Sequence, residues 1–135
     1  MSTPAKKILV VDDEQDVCVY LSRLFQENGY AVSCAADGNE ALERVAKDRP
    51  DLITLDLSMP NKSGARFYRE IKADPLLREI PVVLVTGVTG FGGNAADTER
   101  FYRTRHQAPP PEGFVAKPVD PQEIMQVVDR LTGKA

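Results

Sequence analysis

The sequence predicts an α/β fold with one mainly parallel sheet of five strands. Five short apolar runs alternate along the chain with segments whose apolar residues recur at the spacing of one helical face. Alternation of this kind implies strand–helix–strand units joined by right-handed crossovers. A length of 135 residues with 42% hydrophobic and 27% charged residues is typical of one globular domain. We therefore expect residues 1–135 to form a single unit.

The first unit combines a strand with an amphipathic helix. Ile8–Val11 is a continuous apolar run, as expected for a parallel strand that is covered on both faces. The helix predicted over 14–28 has one apolar face, and Gly29 is its predicted stop. That face consists of Val17, Tyr20, Leu21, Leu24 and Phe25.

The second unit begins with a weaker strand predicted over 31–36. A turn at Asp37-Gly38 follows, and Asn39 is the predicted N-cap of the second helix. The residues predicted to face inward from this helix are Ala41, Leu42, Val45 and Ala46. Pro50 closes the unit.

The remaining strands each end at a polar residue. Leu52–Leu55 ends at the acid Asp56, Val82–Val85 closes at Thr86, and Phe114–Ala116 closes at Lys117. The third helix is predicted over 65–73, with Phe67, Tyr68 and Ile71 in the core. Asp120 is the predicted cap of a last helix that begins at Pro121 and precedes Gly133. Its predicted core residues are Ile124, Val127, Val128 and Leu131.

An enlarged segment, residues 87–113, separates the fourth and fifth strands. It has four glycines within seven positions at its start and three consecutive prolines at 109–111. One interpretation is a loop without regular structure. The other is a remodelled output or dimer face, with Phe91, Phe101 and Tyr102 as candidate anchors.

The composition excludes several classes of function. A net charge of −3 gives no electrostatic reason to expect nucleic acid or a membrane surface as a partner. No apolar run is long enough to span a bilayer, and the first seven residues lack a signal-peptide core, so we expect a cytoplasmic protein. Cys18 and Cys34 lack metal-ligand spacing and are expected to be buried thiols. His106 has no acid or cysteine partner at a useful spacing and is expected at the surface.

The strand ends carry the candidate chemistry. In an open parallel sheet, ligands bind outside the carboxyl ends of the strands, where the sequence places Asp12, Asp13, Asp56, Thr86 and Lys117. Three carboxylates at one edge repel each other, and a hard divalent cation such as Mg²⁺ relieves that repulsion. A cation, an ammonium and a hydroxyl together suit a phosphoryl group, and an ionised Asp needs no general base to act as a nucleophile.

Several motifs together resemble the receiver domain of two-component response regulators. They occur in the family's order and cover nearly the whole chain: Ile8–Glu14, Asp37–Leu42, Pro50–Pro60, Pro81–Thr86 and Ala116–Pro118. The resemblance implies a flavodoxin-like (βα)5 three-layer sandwich whose strands are ordered 2-1-3-4-5. The interval between Thr86 and Lys117 is longer than is usual in that family, which usually carries a fourth helix and a signalling surface there.

The resemblance also implies a role for each site residue. Asp56 would be the phospho-acceptor, Asp13 a direct Mg²⁺ ligand and Asp12 a ligand through water, with the carbonyl of Ser58 completing the protein ligands. Lys117 would pair with Asp56 at rest and with the phosphoryl oxygens afterwards.

The same resemblance implies a switch and an orientation for the lysine. Thr86 would move toward the phosphoryl group, and Phe114 would turn inward as it does so. The Lys117-Pro118 bond resembles one that is cis in the family. Gly87 resembles the family's small residue after Thr86, which leaves the phosphoryl group accessible.

The implied function is signalling rather than turnover of a substrate. A sensor histidine kinase or a histidine phosphotransfer protein would donate to Asp56, and the domain would act on its own phosphorylation only, not as an enzyme. Since nothing follows Ala135, we expect output through contact with a target protein, through a phosphorylation-dependent homodimer, or by onward relay.

Three rivals remain at this point. A receiver-like interaction module that takes no phosphate is opposed by the intact acidic pair, Thr86 and Lys117. A Mg²⁺-dependent phosphohydrolase would need a second Asp where Ser58 stands. A flavin-binding protein would need a phosphate-cradling loop after the first strand, where the acids Asp12–Glu14 would repel a phosphate.

Overall fold

The computed structural model describes residues 5–56, 63–86 and 111–133, with the main chain alone at 63, 65 and 86. These residues form a five-stranded parallel sheet and four helices. The strands are β1 (Lys7–Val11), β2 (Ala31–Ala35), β3 (Leu52–Leu55), β4 (Val82–Thr86) and β5 (Gly113–Ala116). The helices are α1 (Gln15–Glu27), α2 (Gly38–Lys47), α3 (Ser63–Ala73) and α4 (Pro121–Thr132).

The strand order is β2-β1-β3-β4-β5, and every neighbouring pair is parallel. The predicted flavodoxin-like order is therefore confirmed. The order of the strands changes direction between β1 and β3, because β2 lies on one side of β1 and the later strands lie on the other. Val11 is in register with Leu55, so the residues after β1 and after β3 leave the sheet side by side.

Two apolar cores cover the two faces of the sheet, as continuous apolar strands require. Leu9 and Val11 face the core formed with α2 and α3, which contains Val45 and Phe67. The intervening residues of β1 face the core formed with α1 and α4. This second core contains Ile8, Val10, Leu21, Phe25, Ile124 and Val128. The molecule is thus the three-layer sandwich that the sequence predicts.

Helix ends confirm two predicted boundaries and correct one. Asp120 Oδ1 accepts from the N–H of Gln122 at 2.9 Å, and Gly133 follows α4 in the left-handed region at φ 79°. The N-cap of α2 is Asp37 rather than Asn39, since Asp37 Oδ1 accepts from the N–H of Glu40 at 2.8 Å. β2 ends one residue before its predicted end, and the cap of α2 lies two residues before the predicted one.

Two residues predicted to face the core are exposed. Tyr20 is 44% exposed, and Ala46 is also on the surface. The buried stripe of α1 runs through Cys18, Leu21 and Phe25. Successive side chains along a helix point about 100° apart. Tyr20, which precedes the buried Leu21, therefore points away from the buried stripe.

The far end of the enlarged segment belongs to the sheet. Pro111 is buried, and Gly113, predicted to lie in the segment, is the first residue of β5. The Glu112 carboxylate accepts from the N–H of Val82 at 2.7 Å and from Lys72 Nζ at 2.9 Å. Residues 87–110 lie outside the described part of the chain. Among the described residues, none of the helices is long and apolar enough to cross a membrane.

Candidate functional site

Hydrogen bonds of the sheet position the two buried acids. The N–H of Asp12 donates to the carbonyl of Ala35 at 3.0 Å, and the N–H of Asp56 donates to the carbonyl of Val11 at 3.0 Å. Both acids therefore continue the pattern of their strands for one residue. The carboxyl ends of β1 and β3 are adjacent, so the two side chains enter the same space.

Three carboxylates meet at this edge. Oxygens of Asp12, Asp13 and Asp56 all lie within 4.8 Å of one another. The side chain of Asp12 is 2% exposed and that of Asp56 is 1% exposed, whereas Asp13 is exposed to solvent. Two of the three charges are thus withdrawn from water, which would be costly without a partner.

Lys117 supplies a partner for both buried acids. Its Nζ donates to Asp12 Oδ2 at 3.1 Å and to Asp56 Oδ2 at 3.2 Å. Lys117 follows β5 directly, and the Lys117-Pro118 bond is cis, as the resemblance implies. The Lys117 side chain is 19% exposed, so it lies between the buried acids and the solvent.

The electrostatics of Asp12 reflect competition between burial and its donors. Burial is the largest influence and raises the pKa of Asp12, and the charge of Asp56 adds to it. The N–H of Glu14, which donates to Asp12 Oδ1 at 2.8 Å, and the ammonium of Lys117 oppose the rise. The pKa of Asp12 therefore remains above its ordinary value.

For Lys117, burial and the neighbouring charges act on the pKa in the opposite directions to those at Asp12. Burial lowers the pKa of Lys117, but the hydrogen bond to Asp12 and the charges of both acids outweigh it. The net effect raises the pKa of Lys117, so this side chain is fully charged at neutral pH. One ammonium still leaves three acids with an uncompensated negative charge.

The donor set fits a hard divalent cation. Three carboxylates within 4.8 Å of one another offer oxygen ligands only, and the excess negative charge beside Lys117 suits Mg²⁺. Exposed Asp13 leaves one side of the group open to water, which Mg²⁺ usually keeps among its ligands.

The structure brings together four of the predicted site residues: Asp12, Asp13, Asp56 and Lys117. The main chain of Thr86 ends β4 and pairs with Ala116, so it reaches the same edge. The side chain of Thr86 lies outside the description. Phe114 is half-buried and packs against the core shared with α2 and α3. Ser58 and the candidate anchors Phe91, Phe101 and Tyr102 lie outside the described residues.

We did not predict from the sequence that Cys18 contacts Asp12 or that Cys34 lies beside it. The Sγ of Cys18 donates to the carbonyl of Asp12 at 3.5 Å, and Cys34 Sγ lies 3.2 Å from Ser22 Oγ. The spacing of Cys18 and Ser22 by one helical turn is visible in the sequence. Their meeting with Cys34 depends on how α1 packs on β2, and no local pattern reports that.

Comparisons with known proteins agree on one family. A sequence model described as the response regulator receiver domain matches residues 8–129. Protein Rrf1 of Nitratidesulfovibrio vulgaris is 36% identical over 124 residues, which cover 92% of this chain and 80% of Rrf1. Response regulator PleD of Caulobacter vibrioides is 39% identical over 127 residues, covering 93% of this chain but only 26% of PleD.

Solved structures agree as well. The signal receiver domain of a signal transduction histidine kinase from Syntrophus aciditrophicus has a TM-score of 0.79 with this chain at 30% identity. The match covers 96% of this chain and 91% of that one. The likeness therefore extends over the whole sheet and its helices rather than over one motif.

Proposed function

Because this chain belongs to the response regulator receiver domain family, we propose that Asp56 accepts a phosphoryl group and that the modified domain signals by protein contact or onward relay. The coarse function, two-component signalling by a receiver domain, follows from the family. The specific assignment rests on one observation. Asp56 lies at the end of a central strand, almost fully buried, with Lys117 on one of its oxygens and two further acids beside it.

The proposed donor is the phosphohistidine of a sensor histidine kinase or of a phosphotransfer protein. An oxygen of Asp56 forms a bond to phosphorus as the bond from phosphorus to the imidazole nitrogen breaks. The imidazole leaves as a neutral ring after taking up a proton. A carboxylate nucleophile requires no general base. We propose that this exchange takes place in the cytoplasm.

Lys117 has two roles in this scheme. At rest its ammonium compensates Asp12 and Asp56, which keeps both carboxylates in place. After transfer, the same ammonium donates to the phosphoryl oxygens, since it lies beside the oxygen of Asp56. The raised pKa of Lys117 keeps it charged for both roles.

The acids that follow β1 and β3 are the proposed Mg²⁺ ligands. Asp13 and Asp56 are proposed as direct ligands, with Asp12 acting through water and the carbonyl of Ser58 as a further ligand. When bound, the cation neutralises charge on the carboxylates and on the phosphoryl oxygens. The contact of Asp12 with Lys117 and with the N–H of Glu14 fixes its orientation independently of the cation.

The proposed output couples the site to Phe114. Thr86 ends β4 and Lys117 follows the neighbouring strand β5; Thr86 is in register with Ala116, two residues beyond Phe114. Movement of Thr86 toward a phosphoryl group would let half-buried Phe114 turn further inward. That change would bias the surface near β5 toward a target protein or a second copy of the chain.

The enlarged segment, residues 87–113, is the proposed contact surface. Its anchors would be Phe91, Phe101 and Tyr102, because aromatic side chains contribute strongly to protein interfaces. Residues 1–135 would act as one receiver unit with this segment as its distinctive feature.

Phosphorylation of Asp56 is tested with a small phosphodonor. Wild-type protein incubated with acetyl phosphate and Mg²⁺ should gain the mass of one phosphoryl group, and Asp56→Asn should not. Asp51→Asn is a matched control, because Asp51 lies at the opposite end of the same strand and accepts from the N–H of Lys7. Equal labelling of wild type and Asp56→Asn would remove Asp56 from the proposed role, and no labelling of either would favour an interaction module.

A further inference from the structure

A cavity of about 520 Å³ opens beside the acidic site, between α1 and the end of β2. Its lining includes Asp12 and Asp13 on one side and both cysteines of the chain on the other. Cys18 comes from α1 and is buried, whereas Cys34 comes from β2 and is half-buried. A small solute that enters this cavity therefore reaches both thiols.

The two cysteines contact each other. Cys34 Sγ donates to the carbonyl oxygen of Cys18 at 3.8 Å, so the side chain of one cysteine lies against the main chain of the other. Ser22 Oγ, one turn along α1 from Cys18, lies 3.2 Å from Cys34 Sγ and holds that sulfur against the helix. Neither thiol is in a disulfide.

The same pair touches the main chain of the acidic site. Cys18 Sγ donates to the carbonyl of Asp12 at 3.5 Å. The N–H of Asp12 is held by Ala35, the residue that follows Cys34 in β2. The main chain of Asp12 is thus hydrogen-bonded to Ala35 and to Cys18. A bond between the two sulfurs would move both of these partners.

We propose that Cys18 and Cys34 form a reversible disulfide when a peroxide enters the cavity, and that this bond slows phosphorylation of Asp56. The more exposed Cys34 reacts first: its thiol takes one oxygen from the peroxide to give a sulfenic acid, and one water leaves. Cys18 Sγ then bonds to that sulfur as its proton passes to the departing hydroxide, so the S–S bond forms and a second water leaves; this step is the slower one, because burial raises the pKa of Cys18 to about 12. Two thiols are oxidised and one hydrogen peroxide is reduced to two waters.

The effect on Asp12 follows from the lost donor. A disulfide has no S–H, so the carbonyl of Asp12 loses the hydrogen bond from Cys18 while α1 is drawn toward β2. The regulatory half of this inference rests on the proposed function, since it requires that Asp56 is phosphorylated. In a reducing compartment the bond would form transiently, which is the usual behaviour of regulatory disulfides.

The test uses the full chain with hydrogen peroxide, followed by acetyl phosphate and Mg²⁺. Oxidised wild type should lose the mass of two hydrogens at the joined Cys18 and Cys34 peptides, and dithiothreitol should restore it. Closing a loop of this length should raise the midpoint of thermal unfolding by about 10 °C. Labelling of Asp56 should slow about fivefold in the oxidised form, as expected for one lost hydrogen bond at the site.

Cys34→Ser is the matched control for the same treatment. Serine there cannot form the disulfide, so the peroxide should change neither its unfolding midpoint nor its labelling rate. It retains the three methionines, and therefore controls for their oxidation. Cys18→Ser is a second variant that should also remain free of the disulfide.

Two results would overturn the inference. One is a peptide map in which Cys34 gains oxygen or pairs between molecules while Cys18 stays a thiol. The other is an internal disulfide that leaves the labelling rate of Asp56 unchanged. If reduced wild type is not labelled at all, the proposed function fails, and the peptide map and the unfolding midpoint still decide whether the disulfide forms.

Discussion

Lys117 is the cation that two buried carboxylates share. Replacing it by methionine would leave Asp12 and Asp56 at the same place without their ammonium. Removal of one partner from a buried ion pair costs about 3 kcal/mol or more. We expect Lys117→Met to lose about 3 kcal/mol of unfolding free energy in urea without Mg²⁺, and to recover part of it when Mg²⁺ is added. Equal stability of Lys117→Met and wild type without Mg²⁺ would contradict this, and Lys117→Arg, which keeps the charge, is the control.

The raised pKa of Lys117 predicts a loss of stability at alkaline pH. The unfolded lysine loses its proton near its ordinary pKa of 10.5, whereas the folded one keeps it to a higher pH. The stabilisation is therefore complete below 10.5 and disappears as the pH rises through the folded value. Thermal unfolding across this range should show a smaller alkaline loss for Lys117→Met than for wild type.

Thr54 carries a buried hydroxyl that is unpaired within the described part of the chain. Within the described residues its Oγ1 has no hydrogen-bond partner, and the residue is 1% exposed between Val10 and Val83 of the neighbouring strands. Burying an unpaired hydroxyl costs about 1–3 kcal/mol, and valine has nearly the same shape. We expect Thr54→Val to raise the free energy of unfolding by about 1 kcal/mol. Thr54→Ser keeps the hydroxyl and loses a methyl group, so it should be less stable than wild type; a destabilised Thr54→Val would show that Oγ1 has a partner.

The acidic site was predictable from the sequence, whereas the contacts of Cys18 and Cys34 beside it were not. An apolar run that stops at an acid fixes that acid at a strand end, so Asp12, Asp56 and Lys117 could be brought to one edge from strand boundaries alone. The contact between Cys18 and Cys34 depends on the rotation of α1 over β2. Tyr20 shows the same limit, because a helical pattern with five apolar residues did not reveal which one lies outside the buried stripe.

Glycine at 113 sets the distance between β5 and α4. A Cβ at this position would lie 2.8 Å from Val127 Cγ1 and 3.3 Å from Val83 Cγ2, and the first distance is too short. Helix α4 or its side chains would have to move, and overpacking of this kind costs about 1–3 kcal/mol. Gly113→Ala should lose that amount in urea unfolding.

A double variant tests the cause of that loss. Val127→Ala removes the methyl group that an added Cβ would meet. Gly113→Ala combined with Val127→Ala should therefore lose less stability than the two single variants together. Strict additivity would place the strain elsewhere, for example in the conformation of the main chain at the start of β5.

Element boundaries were predicted best where one cap candidate stood alone. Asp120 before Pro121 had no competitor, and it caps α4 as predicted. For α2 we placed Asp37 in a turn and predicted Asn39 as the cap, whereas Asp37 caps the helix. Glu40 reinforces the outcome, since its Oε1 accepts from the N–H of Ala36 at 2.6 Å. A pairing of Asp37 with Glu40 three residues later resembles the capping box, a signal that favours the earlier start.

The two edges of the sheet carry separate clusters of charge. At the carboxyl edge, three acids and Lys117 leave an excess of negative charge. At the opposite edge, the ion pair of Lys72 and Glu112 joins the end of α3 to the start of β4 and β5. Lys72 Nζ also donates to the carbonyls of Arg78 and Ile80, so its charge is fully occupied by structural partners. Whole-molecule behaviour should therefore separate into two independent responses.

Paired variants test that separation. Glu112→Gln removes the charge opposite Lys72, whose side chain is 3% exposed, while Glu112 is 36% exposed. Water reaches the glutamate side, so the loss should be about 2 kcal/mol, below that of a fully buried pair. Asp13→Asn should instead leave stability without Mg²⁺ unchanged or slightly higher, because it removes one of three clustered negative charges. Urea unfolding with and without Mg²⁺ measures both effects.

The Mg²⁺ response distinguishes the two variants. A ligand at 100 times its Kd stabilises the folded state by about 2.7 kcal/mol, whatever the starting stability. Glu112→Gln should keep the full increment and a wild-type rate of Asp56 labelling, because Lys72 and Glu112 touch no residue of the acidic site in the described structure. Asp13→Asn should lose most of the increment and slow the labelling. If Glu112→Gln reduced the Mg²⁺ increment as much as Asp13→Asn does, the two edges would be coupled through β4 and β5, and the anchor at Glu112 would belong to the switch rather than to the scaffold.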